Sequence, residues 1–267
     1  MGKGIGDDLR QIGVVTRYEL LKHIRSRRML IFIAIGVLLL ALITALNIIL
    51  EGHLPKDPKE FMQNYVGLIT LFIIIGVSLF CAPAIASEFE ERTALLMFPR
   101  PMKKTTFFIG KMTACYIVCG LIILGYYLVA MILSVLNTGT VYPNTFGSIG
   151  LAMLFMLGTG GFALLISSIF RKGSTAVIVT IAVLLLIFNI VDSMLMIFDI
   201  EPVFSITYAG LDVSNIIDGK VTTSFPPGFG ISGTFFYPTH TLAVSIMAIY
   251  ASVATAIAAF LFARREF

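Results

Sequence analysis

The sequence predicts an all-α membrane protein with six transmembrane helices, and three observations carry that reading. Hydrophobic residues make up 58% of the 267-residue chain and charged residues only 13%, roughly half the charged share of an ordinary soluble domain. Mean hydropathy is +0.96. Asp, Glu, Lys and Arg are absent from five long windows, 29–50, 61–87, 112–170, 173–191 and 221–263. A water-soluble fold of this size could not cover its surface with so few charges, and disordered chains are poor in the apolar residues that abound here. Unbroken apolar runs also exclude a barrel, whose strands would alternate.

A helix crosses the ~30 Å hydrocarbon core with about 20 residues, so each window holds one span except the third. There the polar turn 137–144 (Asn-Thr-Gly-Thr-Val-Tyr-Pro-Asn) separates two. The expected spans are 29–50, 64–86, 107–136, 148–170, 174–198 and 238–263, within a single membrane domain, 1–267. Ahead of them, 7–28 reads as an interfacial amphipathic helix, with Asp7 and Asp8 at its start and Arg25, Arg27 and Arg28 at its end. The basic stretch followed by an apolar run has the order of a signal peptide. That run is too long and lacks a small-residue cleavage site, so it reads as a retained span.

Orientation follows from the basic residues. Lys3, Arg10, Arg17, Lys22, Arg25, Arg27 and Arg28 precede span one. Arg92, Arg100, Lys103, Lys104 and Lys111 follow span two, Arg171 and Lys172 follow span four, and Arg264 and Arg265 end the chain. Only Lys56, Lys59 and Lys220 fall on the other side. By the positive-inside rule both termini are cytoplasmic, which an even number of spans requires. The expected location is the cell membrane.

Between spans two and three, Ser87 with Glu90 three residues on has the form of a capping box. Glu88, Glu90 and Glu91 suit a helix start, while Pro99 and Pro101 would end it. A short cytoplasmic helix over 88–98 is expected. Its apolar residues Phe89, Leu95, Leu96, Met97 and Phe98 need a surface, either the ends of neighbouring spans or another protein. On the outer side, 201–237 is a long segment rich in turn formers, with 211–217 expected as a short helix lying on the surface.

The sequence lacks several chemistries. The Gly-Lys pairs at Gly2, Gly110 and Gly219 have neither the upstream glycine nor the following Ser or Thr of a phosphate-binding loop. His23, His53 and His240 are widely separated, and no hydrolase motif occurs. The chain is therefore not expected to be an enzyme, and no cofactor is implied. Cys115 and Cys119 lie one turn apart, with Cys81 ending span two, but cysteine and methionine are ordinary fillers of apolar helices. No metal site is expected. Asp192 is the one acid well inside a span, with Asn189 a turn before it. Snorkelling of Asp192 to the outer interface is the favoured reading, and an intramembrane polar site of Asn189 and Asp192 is the alternative. Gly158-Thr-Gly-Gly161 reads as a close-packing surface for another helix.

One segment carries a family resemblance. Glu88-x-Glu90-x-x-Thr93, then Arg100-Pro101, Lys104 and Gly110-Lys111, resembles the cytoplasmic loop of type-2 ABC exporter permeases (ABC-2). Arg92 stands where that family commonly has glycine. The resemblance implies that the loop contains a coupling helix contacting a separate ATP-hydrolysing subunit. Glu88, Glu90, Thr93, Arg100, Pro101 and Lys104 would then form that interface. The implied function is the permease subunit of an ABC transporter, an exporter, pairing with a second permease copy, identical or paralogous. Its other partner is membrane lipid; no nucleic-acid partner is expected. The alternatives are a stand-alone secondary transporter or channel, which should show polar coupling sites near mid-membrane, and a non-transporting membrane scaffold.

Overall fold

Local chemistry sets the ends of the long helices. The computed structural model describes residues 5–90, 103–220, 222–224 and 234–264. Helix α1 (Ile5–Ile24) leads into a turn at Ser26, which caps α2 (Arg27–Glu51) by accepting a hydrogen bond from the Met29 amide. Gly52 ends α2 in the left-handed region at φ 75°, its N–H returning to the Ile48 carbonyl. Asp57 then caps α3 (Pro58–Val66), with proline at the position that needs no amide donor.

Among the described residues, six helices are long and apolar enough to cross a membrane: 27–50, 58–88, 104–138, 145–169, 173–197 and 240–264. The six expected spans correspond to these in order, and the chain is an all-α multi-pass membrane protein. The face carrying α1 and the 90–103 connection is called the basic face below, and its opposite the far face.

Span two is built from three stacked pieces, α3, α4 (Ile69–Phe80) and α5 (Pro83–Glu90). The break before α5 is the work of Pro83, which lacks the amide a continuous helix would use. Around it the Cys81 and Ala82 amides both turn to the Val77 carbonyl, and the Ala84 amide turns to Cys81. The Phe80 carbonyl instead accepts the Cys115 thiol at 3.3 Å. Here the sequence reading needs correction. Ser87 lies inside α5 rather than capping a new helix, because the chain is already helical from Pro83. The expected helix over 88–98 lies, from residue 91 on, outside the described residues.

Span three is the continuous α6 (Lys104–Thr138), closed by Gly139 at φ 82°. Span four is α7 (Thr145–Ile169). Span five comprises α8 (Gly173–Ile181), a π-helical turn over Ala182–Ile187, and α9 (Phe188–Ile197). Span six comprises α12 (His240–Ile249), a second π turn over Tyr250–Ala254, and α13 (Thr255–Arg264). Between spans five and six lie α10 (Ile206–Gly210), α11 (Asp212–Asp218), and a two-residue ladder of β1 (Thr223–Ser224) with β2 (Thr234–Phe235). The ladder is antiparallel, with Thr223 opposite Phe235.

Spans two and four form the centre, with 72% and 61% of their most apolar windows buried, whereas spans one, five and six show 22%, 17% and 28%. Those three therefore turn most of their apolar surface outward, toward the lipid that such a surface requires. The small residues of α7 set its packing, as the sequence suggested. A Cβ on Gly161 would lie 2.7 Å from the Thr255 hydroxyl oxygen, and one on Gly158 would lie 3.0 Å from the Met247 carbonyl oxygen. Span six thus presses backbone to backbone against span four.

The segment after span five departs from the expected surface helix. Ile206, Tyr208 and Ala209 of α10 are fully buried, as are Asp212 and Val213 of α11. Ile206 reaches Gly158, and the Phe155 ring lies against Gly210. Gly158 is thirteen residues into α7, about 20 Å along the helix axis at 1.5 Å per residue. The α10 segment therefore dips into the bundle from the far face, with α11 seated over α3 and α7.

Candidate functional site

The densest polar cluster lies at the basic face. Gly110 on α6 lets α1 approach: a Cβ there would meet Val15 Cγ1 at 2.7 Å, and the Thr16 hydroxyl donates to the Gly110 carbonyl at 3.2 Å. That contact places the next residue, Lys111, beneath α1, where it is 2% exposed. Its ammonium donates to Glu19 at 2.7 Å and to Glu88 at 2.8 Å. Lys22 stands 3.5 Å from the same Glu88 oxygen. Two carboxylates and two ammonium groups thus share one partly dry site, and each offsets the desolvation of the others.

Beside this network a cavity of about 230 Å³ opens among α1, the α1–α2 turn, α5 and α6. Glu19, Lys22, His23, Ser26, Arg28, Ser87 and Lys111 contribute to its wall. His23 is 8% exposed, edge-on to the Phe80 ring, and its Nε2 lies 3.7 Å from Cys115 Sγ.

The residues expected to form a partner interface are distributed as follows. Glu88 points inward and is consumed by Lys111 and Lys22, so it is not an exposed docking side chain. Glu90 accepts the Gly173 amide at 2.9 Å, covering the start of span five. Lys104 donates to the Ala263 carbonyl at 3.3 Å, in the last turn of span six. Thr93, Arg100 and Pro101 lie outside the described residues.

Asn189 and Asp192 are not brought together. Asn189 is exposed, and its amide donates back to the Leu184 and Leu185 carbonyls of the π turn at 3.2 and 3.1 Å. Asp192 is 6% exposed and does not snorkel. Its Oδ2 accepts from Ser205 at 2.8 Å and Thr207 at 2.6 Å, while Oδ1 has no partner among the described residues. The re-entrant α10 segment supplies these hydroxyls, which no reading of span five alone could reveal.

A second pairing also escaped the sequence. His240, at the start of span six, places Nδ1 2.8 and 2.9 Å from the two oxygens of Asp212, which is fully buried. Burial raises the Asp212 carboxyl above the usual range, and the neighbouring imidazole works against that rise. Nearby, Tyr208 donates to Glu201 at 2.6 Å, and burial with that carboxylate pushes the phenol well above its ordinary value. Cys81, Cys115 and Cys119 are all buried. Among the described residues, no group of three or more His, Cys, Asp or Glu side chains could hold a metal ion.

Comparison with known proteins corrects the family assignment. A family described as "Protein of unknown function (DUF2705)" matches residues 30–267. The chain is also 28% identical over 136 residues to the "Uncharacterized membrane protein YdbK" of Bacillus subtilis (strain 168). That match takes in 46% of this chain and 55% of the relative, so the chain spans about half the length of the protein it resembles. The resemblance to type-2 ABC exporter permeases is thereby overturned. Its physical basis is visible in the geometry: Glu88, Glu90, Lys104 and Gly110-Lys111 all serve contacts within this chain, and any helix–loop–helix at a basic membrane face could need them. The chain is a multi-pass membrane protein belonging to the family of unknown function DUF2705.

Proposed function

We propose that this chain is the membrane-spanning subunit of an ATP-driven transporter, an exporter, worked by a separate ATP-hydrolysing subunit through the loop 87–104. The observation that carries the reading is how the two ends of that loop are anchored. On one side, Glu88 is bound to Lys111 of span three and lies in one network with α1, while Glu90 holds the first amide of span five. On the other side, Lys104 holds the last turn of span six. A push on the loop would reach four helices at once. Such coupling needs two packings of similar energy, one of them favoured by the bound partner. In this reading the spans line a path shared with a second permease copy. The basic face is cytoplasmic, and the protein sits in the cell membrane with both termini inside.

The test replaces residues 92–102 with a Gly-Ser linker of equal length. The expected outcome is a chain that inserts and melts like the wild type but no longer co-purifies an ATP-hydrolysing chain from its native membranes. Wild-type protein isolated under mild detergent or after crosslinking without any such chain would overturn the reading.

A second reading, a stand-alone transporter, is favoured by one observation. Asp192 is a buried intramembrane carboxylate with an oxygen lacking a partner among the described residues, a common mark of a coupling site. An Asp192→Asn variant that inserts normally and loses proton- or cation-driven uptake in vesicles would support it. Unchanged uptake would remove it.

A further inference from the structure

We infer that the basic face carries a binding site for one anionic phospholipid, with its phosphate in the cavity beneath the α1–α2 turn and an acyl chain in the groove between α2 and α6. The inference is independent of the transporter reading. Its first support is charge. Lys22, Arg28 and Lys111 line the cavity with one carboxylate, Glu19, and Glu88 is the second carboxylate of the network. Both carboxylates are already bound to Lys111, and Arg28 pairs with no carboxylate among the described residues. The cavity therefore retains a net positive charge. The start of α2 adds to it, because no acidic residue occupies the first turn of that helix to answer its dipole. Arg25 and Arg27, both exposed, extend the positive field to the surrounding surface. An anion of one or two charges complements such a site, and the arginine can grip a phosphate with two donors.

The second support is shape. Arg28 lines the polar cavity, and the next residue, Met29, opens a different one, a groove of about 350 Å³ between α2 and α6. Met29, Ile33, Val37 and Leu40 line it from α2, with Leu121 and Val129 opposite. The Tyr126 hydroxyl is spent on the Tyr65 carbonyl at 2.7 Å, so the ring offers the groove its apolar body. Nothing lies within 4 Å of where a Gly125 side chain would stand. From Met29 to Leu40 the groove runs roughly 17 Å along the helix axis, the direction of a lipid tail. A free phosphate would use only the cavity, and a neutral lipid only the groove. Both features meet at consecutive residues, and one molecule satisfies both: a phosphodiester with a hydrocarbon chain attached. Basic pockets between spans at the cytoplasmic side are the usual chemistry of anionic headgroup binding.

The experiment is native mass spectrometry of the purified full-length protein in detergent, titrated with phosphatidylglycerol or phosphatidylcholine of matched chains. Bound adducts should favour phosphatidylglycerol. At about one kcal/mol per basic residue near a headgroup, Arg28→Ala should weaken its binding about fivefold and Arg28→Glu about 25-fold. Arg28→Lys should restore most of it. Gly125→Leu, which fills the groove without touching charge, should weaken it as well. Arg28 is exposed, so folding should survive these changes, and unaltered circular dichroism is the control. Equal binding of the two lipids, or an Arg28→Glu variant that binds like the wild type, overturns the site. Displacement of phosphatidylglycerol by inorganic phosphate at equal concentration would mark a free-anion site and overturn the lipid assignment too.

Discussion

Lys111 shows how much one residue can be asked to do in a membrane protein. It begins as half of an unremarkable Gly-Lys pair. In the fold it is the cation that lets Glu19 of α1 and Glu88 of α5 share a site with little water. Removing it would leave the buried Glu88 and the largely buried Glu19 facing each other without the cation between them, and Lys22, beside Glu88, is half-exposed. Loss of one partner from such a network typically costs about 3–5 kcal/mol, whereas replacing the whole set with apolar groups is often neutral. Lys111→Met should therefore lower the melting temperature of the detergent-solubilised protein sharply. The triple variant Lys111→Met, Glu19→Leu, Glu88→Leu should recover most of the loss. If the single variant melts like the wild type, the network contributes nothing to stability.

At the scale of elements, the decisive piece is the insertion of α10 and α11 between spans. Polar contacts hold it beside apolar ones: Asp192 takes the Ser205 and Thr207 hydroxyls, Ser148 donates to the Val213 carbonyl at 2.6 Å, and Asp212 meets His240. Asp212 also makes the seat pH-sensitive. Its carboxyl titrates higher in the folded protein than in the unfolded chain, because burial disfavours the ionised form. A raised pKa contributes stability that is fully present below the unfolded value and is lost as pH rises through the folded one. Asp212→Asn cannot ionise and lacks that loss. Its melting temperature relative to the wild type should therefore climb as pH is taken from about 4 toward 7. A difference that stays flat, or shrinks, across that window would show that the His240 contact outweighs burial.

For the whole molecule, the place of span four in the buried centre follows from its small residues. Span four, with Gly158, Gly160 and Gly161, can be approached on several sides by Tyr116, Ile206, Met247 and Thr255. Spans one and five carry large aliphatic side chains that remain 59–77% exposed at Ile178, Leu186, Ile49 and Leu50. The six-span arrangement returns the chain to the basic face, which fits the clustering of Lys and Arg there. Lys3→Cys and Glu266→Cys, each in a cysteine-free background, should both react only with reagents that reach the cytoplasm. Labelling of either from outside intact cells would contradict the orientation.

The sequence by itself determined the solvent of this protein, the order of the six apolar helices among the described residues and the tight packing around Gly158–Gly161. Each of those rests on composition or on neighbours along one helix, which are local properties. Only the tertiary structure decided what the polar residues do. Glu88 and Glu90 lie two positions apart, yet one closes an internal ion network and the other caps span five, because α5 turns them toward different helices. Asn189 and Asp192 lie one turn apart, yet the first is spent on its own backbone and the second on α10. Asp212 and His240 are 28 positions apart and touch. The same limit explains the misleading family resemblance: a charge pattern records which residues a membrane surface needs, while the identity of each partner depends on contacts between distant segments. In an apolar bundle a buried polar group left without a partner is costly, and for most of these groups the chain supplies one from wherever the packing brings it near.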